Sequence, residues 1–156
     1  MLDTQLEEVY FLDMPRIASG LSGVAGEYLV VGELSRRGYI ASITHRNTEG
    51  VDILVSNVDA TKMVAIQVKT CQERRNKWVL GKGSEKNKSS FLFYIFVKFC
   101  EDDPVQFFIV PSKKVAEFAK KFHKDHLNRG NKNSNMRKFF DDKGEYLNRW
   151  DLLGLG

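Results

Sequence analysis

Residues 50–70 read GVDILVSNVDATKMVAIQVKT, and two alternating runs within them decide the fold. In the first, Val51, Ile53 and Val55 face one way and Asp52, Leu54 and Ser56 the other, because successive strand residues point to opposite sides. In the second, Val64, Ile66 and Val68 share a face, and Met63, Ala65, Gln67 and Lys69 share the opposite one. Only residues 57–61 separate the runs, so the two strands form a hairpin. Upstream, Leu21, Val24, Tyr28, Val31 and Leu34 recur at helical spacing and predict a helix over residues 21–37. Gly38 suits the position just past its end. Gly20, Gly23, Gly26 and Gly32 lower its intrinsic propensity and thin one side, where another backbone can approach. A short strand over 39–44 links helix to hairpin, and residues 1–17 read as a loose lead-in with a short helix over 5–11.

Downstream, residues 91–99 are almost wholly apolar, as in a strand buried on both faces. A turn at 101–104 leads to a strand over 105–110. Pro111 and Ser112 then open a helix to about residue 127, with Val115, Phe118, Ala119 and Phe122 as its buried stripe. Residues 129–135 read as a loop and 142–153 as a last helical piece. Between hairpin and apolar strand lie a short strand, 77–80, and a helical turn after Ser84. The expectation is one α/β (α+β) domain over residues 1–156, with its core at about 20–127 and a C-terminal extension at 128–156.

At 42% hydrophobic and 28% charged the composition is that of a soluble globular protein. The longest apolar run, FLFYIFV at 91–97, is far short of the ~20 residues of a membrane helix. The acidic start MLDTQLEEVYF has no basic leader followed by an apolar run, so no signal peptide is expected. Cys71 and Cys100 have no metal or redox spacing, which fits a reducing cytoplasm. The net charge is +4, and the stretch from Glu73 to Lys88 holds an equal excess: Arg74, Arg75, Lys77, Lys82, Lys86 and Lys88 against Glu73 and Glu85. One basic segment on a near-neutral body is the pattern of a phosphate-facing loop; a solvated loop that touches nothing is the alternative.

Four residues carry the candidate chemistry. Glu27 shares a helix face with Val24, Val31 and Leu34, and an inward carboxylate needs a partner. Asp52 opens its strand just after Gly50. Gln67 and Lys69, two apart, project to the same side of theirs. A hard divalent cation ties them together. Mg²⁺ takes one or two carboxylates from protein and keeps several waters. Glu27 and Asp52 supply the carboxylates, Gln67 an amide oxygen and Val68 its carbonyl. Lys69 is then a fixed cation beside the activated water, which is what phosphodiester hydrolysis requires. The structural alternative is a buried salt bridge between Lys69 and one carboxylate.

The stretches GEYLVVGELSRRGY (26–39), GVDILV (50–55) and VAIQVKT (64–70) together resemble the PD-(D/E)XK nuclease superfamily. Helix with Glu, strand with Asp, then strand with acid-x-Lys is the order in the cores of Holliday junction resolvases and many restriction enzymes. The resemblance spans residues 23–70. It implies a restriction-endonuclease-like αβββαβ core, a central mixed sheet flanked by helices, with residues 91–127 completing it. It makes Glu27, Asp52 and Gln67 metal ligands and Lys69 the catalytic lysine. Val51 stands where the family often has proline. Gln67 stands where Glu or Asp is usual, as in methylation-dependent restriction enzymes, and removes one negative charge from the site.

His123 and His126, three apart, lack a third ligand at a telling spacing. Trp78 suits either base stacking or packing. The leading expectation is a Mg²⁺- or Mn²⁺-dependent DNA endonuclease of repair, recombination or defence, with Arg74, Arg75, Lys77 and Lys82 on phosphates. It needs no membrane and no organic cofactor, and loops or a homodimer supply any specificity. The alternatives are an inactive nucleic-acid-binding domain and a protein-interaction domain on the same fold.

Overall fold

The computed structural model describes residues 16–45, 49–100, 103–131 and 134–156; the expected helix over 5–11 lies outside them. Strands β2 (Ile53–Ser56) and β3 (Met63–Cys71) form the hairpin, with Ile53 opposite Ile66 and Val55 opposite Val64. Its turn is closed by Asn57, whose Oδ1 accepts the Lys62 N–H at 3.0 Å and whose Nδ2 donates to Thr61 Oγ1 at 2.8 Å. The alternation holds: Ile53, Val55, Val64, Ile66 and Val68 are buried, while Leu54 and Met63 are exposed on the other face. Strand β1 (Ile40–Ile43) pairs antiparallel with β2. β5 (Leu92–Lys98) runs parallel to β3, and β6 (Gln106–Pro111) antiparallel to β5. The mixed sheet has the order β1-β2-β3-β5-β6. β5 is buried from Leu92 to Val97 because it has a core on each side.

Helix α1 (Ser19–Arg36) covers the first face. Its buried stripe is Ser22, Gly26, Val30 and Leu34, which shares only Leu34 with the expected one. Leu21 and Tyr28 are 64% and 66% exposed. Small residues, not large ones, set the closest approach. Ser22 Oγ lies 2.9 Å from Thr70 Oγ1. A Cβ on Gly26 would collide with Thr70 Cγ2, whereas Gly20, Gly23 and Gly32 have no neighbour within 4 Å. Opposite outcomes are therefore expected for two like substitutions. Gly32→Ala should raise stability by about 0.5–1 kcal/mol through helix propensity. Gly26→Ala should lower it by about 1–3 kcal/mol, because Thr70 is held by Ser22 and overpacking exceeds the propensity gain. Urea denaturation midpoints check both; a stabilised Gly26 variant would mean α1 can lift off β3 freely.

On the second face, helix α2 (Ser112–Asn128) packs over β5 and β6. Strand β4 (Lys77–Leu80) pairs with β7 (Arg137–Phe140) as a separate two-stranded sheet. Trp78 is core: its ring centroid lies 5.0 Å from those of Phe96 and Phe108, and its indole N–H donates to the Val97 carbonyl at 3.0 Å. β7 was not expected. The helical piece over 142–153 shrinks to a 3₁₀ turn at Trp150–Leu153. Buried Asp141 accepts the Glu145 and Tyr146 N–H groups at 2.8 and 2.9 Å, and Gly144 (φ +69°) and Asn148 (φ +54°) take left-handed backbone; together these close turns where a helix would run. Trp150, Leu153 and Leu155 then enter the first core, so residues beyond 128 are part of the packing. The β3-to-β5 crossover, usually a helix, is here β4 and a 3₁₀ turn at Lys82–Glu85; α2 follows β6 instead. Among the described residues no helix is long and apolar enough to cross a membrane.

Candidate active site

The β2–β3 register, continued by one residue, puts Asp52 opposite Gln67. Here the ladder changes character. The Asp52 N–H still donates to the Ile66 carbonyl at 2.8 Å. The next rung comes from a side chain: Asp52 Oδ2 accepts the Val68 N–H at 2.7 Å. Gly50, at φ +77°, turns the chain away, and Thr44 Oγ1 donates to the Val51 carbonyl at 2.7 Å. One carboxylate oxygen is thus pinned to the β3 backbone, and Oδ1 is left outside that bond.

Gln67 and Lys69 project from the face opposite α1, into a cleft of about 580 Å³. Its floor includes Tyr94, which is Gln67's partner in the parallel register. Burial pushes the Tyr94 phenol above the usual tyrosine range, against the opposing effect of a hydrogen bond with Asn87. Asn87 Nδ2 in turn lies 3.5 Å from where a Gly50 Cβ would stand. Lys82 and Lys86 line the same cleft, and Glu49 is the one acid among its lining residues. Among the described residues no ion pair joins Lys69 to a carboxylate, so the salt-bridge alternative is not formed.

Asp52, Gln67 and Lys69 are therefore brought together. Glu27 is placed differently. It is half-buried on α1, next to Gly26, on the side of the sheet that carries Val68 and Thr70. The cleft opens on the other side, and Glu27 is not among its lining residues. Among the described residues no three His, Cys, Asp or Glu side chains come together as a metal site.

The basic segment is divided. Arg75 donates to both Asp142 oxygens, at 3.0 and 2.8 Å, and stacks 4.9 Å from the Phe140 ring centroid. The bidentate contact holds the exposed Asp142 carboxyl below the usual carboxylate range. Lys77 Nζ lies 2.6 Å from Glu73 Oε2, and the Arg74 carbonyl accepts a bond from Lys98. Of Arg74, Arg75, Lys77 and Lys82, only Lys82 lines the cleft; Lys86, which was not singled out, joins it. The segment is not a loose loop, because Trp78 and Leu80 bury it. Tyr94 was also missed. A lone phenol within FLFYIFV was the available signal, since a buried tyrosine hydroxyl needs a partner.

No family profile and no curated protein sequence matches this chain. Its structure does have likenesses. A bacterial homing endonuclease, I-Ssp6803I, superposes with a TM-score of 0.56 over 89% of this chain and 94% of its own, at 13% sequence identity. The fold is restriction-endonuclease-like. Hjc, a Holliday junction resolvase from Archaeoglobus fulgidus, aligns over 80% of this chain and 91% of its own, with a TM-score of 0.46 and 16% identity. In this chain Asp52, just before β2, stands opposite Gln67 on β3 and bonds the Val68 N–H.

Proposed function

We propose that the chain is a Mg²⁺- or Mn²⁺-dependent DNA endonuclease. One observation supports this most: Asp52 stands opposite Gln67 at the end of the β2–β3 hairpin, beside a cleft lined by Gln67, Lys69, Lys82 and Lys86. The donors suit a hard divalent cation that retains most of its waters: the free oxygen of Asp52, the Gln67 amide oxygen, the Val68 carbonyl, and Glu27 from across the hairpin end. When bound, the cation activates water and neutralises charge at phosphorus. Lys69 places a positive charge where the scissile phosphate gains negative charge. Asp52, pinned by the Val68 N–H, need not reorganise as the reaction proceeds. Lys82 and Lys86 hold flanking phosphates, which orient the duplex without reading its sequence.

The direct test is cleavage of supercoiled, linear and branched DNA with Mg²⁺, with Mn²⁺ and with EDTA. Metal-dependent nicking is expected. Salt-dependent binding without cleavage would favour an inactive nucleic-acid-binding domain, and neither would favour a protein-interaction domain. A role in repair, recombination or defence, and any homodimer, belongs to the same proposal and follows only from cleavage.

Gln67 supplies a neutral oxygen where an acid is usual, so metal affinity should be low. Gln67→Glu adds a formal charge and is expected to tighten Mn²⁺ binding by roughly tenfold, since ligand charge tunes such sites. Calorimetric titration of both proteins with the metal alone measures this. Equal or weaker binding by the Glu form would remove Gln67 from the ligand set.

A further inference from the structure

Every residue from Leu80 to Asn87 lines the cleft except Glu85. That acid lies between Lys82 and Lys86, three residues after one and one before the other. On a short helical turn it is well placed to pair with Lys82. It does not. Its Oε1 accepts from Arg137 Nε at 2.7 Å. Arg137 is 7% exposed, sits opposite Leu80 in the β4–β7 register, and also donates Nη1 to the Asn135 carbonyl at 2.9 Å.

We infer that Arg137 is a positioning residue that turns Glu85 out of the cleft, so that the crossover presents lysines and no carboxylate to a polyanion. The pair joins residues 52 apart in sequence, so the C-terminal strand sets the charge of a surface built by the middle of the chain. That the polyanion is DNA rests on the function proposed above; that the cleft's charge depends on Arg137 does not.

The test uses the full chain with Arg137→Met, and with Arg137→Met combined with Glu85→Leu. In the single variant Glu85 is released to neutralise a neighbouring lysine. Each phosphate contact contributes about 0.9 to the log–log salt slope, so the slope should flatten by roughly one unit and duplex affinity at 0.1 M salt should fall about tenfold. The double variant has no acid to release and should bind as wild type does. Its ion pair, of buried Arg137 and half-buried Glu85, is replaced by apolar groups, a change that often leaves stability unaltered, and thermal melts verify this. A double variant that melts like wild type but binds more weakly would overturn the inference, as would a folded single variant with unchanged slope. The double variant decides even if the single does not fold. Elution from heparin, a polyanion with no phosphodiester to cut, runs alongside. Earlier elution of the single variant, restored in the double, with no DNA binding or cleavage by any form, would sink the nuclease reading and leave this inference standing.

Discussion

Lys69→Ala should lower DNA cleavage by about 10²–10³-fold, the usual consequence of removing one preorganised charge from a developing anion, and leave the melting temperature nearly unchanged. The second half of the expectation comes from the structure. Lys69 is half-buried at the cleft and has no carboxylate partner among the described residues, so its loss strands nothing. Substitutions of that kind typically change stability by no more than about 0.5 kcal/mol. A lysine holding a buried carboxylate behaves otherwise: breaking such a pair costs about 3–5 kcal/mol, or roughly 2–4 °C per kcal/mol in a chain of this size. Nuclease assays and melts on one preparation distinguish the two. Unchanged cleavage would remove Lys69 from the mechanism, and a sharply lowered melting point would make it structural.

Asp52 should behave differently, because its side chain has two tasks. Asp52→Ala removes a proposed metal ligand and also leaves the Val68 N–H without its acceptor. The orphaned donor costs about 1–3 kcal/mol, so this variant should lose both activity and stability. Asp52→Asn keeps an oxygen for the Val68 N–H but not the charge. It should melt close to wild type yet lose about 10³-fold in cleavage, as several kcal/mol of charge stabilisation disappears. The separation between the two variants is the informative result. If Asn and Ala melt alike, the side-chain rung between β2 and β3 is not part of what holds the hairpin end. If Asn cleaves as wild type does, the carboxylate charge is not used.

The strands were legible because their signal is local. Side chains alternate across a strand by covalent geometry, so Val64, Ile66 and Val68 on one side and Gln67 and Lys69 on the other could be read without knowing what covered them. The same holds for the apolar run that became β5, for β4 at Lys77–Leu80, and for the helix that became α2. Chain order and residue chemistry were enough to place Asp52 beside Gln67. What docks against what is not local. The face that α1 turns inward was misjudged because hydrophobicity favoured Leu21 and Tyr28, while the sheet favoured the small residues Ser22 and Gly26, which let Thr70 come close. β7 escaped notice because RKFF has no alternation of its own; it is a strand only because β4 offers an edge. The fate of the basic segment depended on Asp142 and Arg137, 67 and 52 residues from their partners, and sequence periodicity does not reach so far. By itself, then, the sequence determined the strands of the central sheet and the faces to which their side chains point. Only the tertiary structure decided which lysines reach the cleft, because an ion pair is chosen by distance in space.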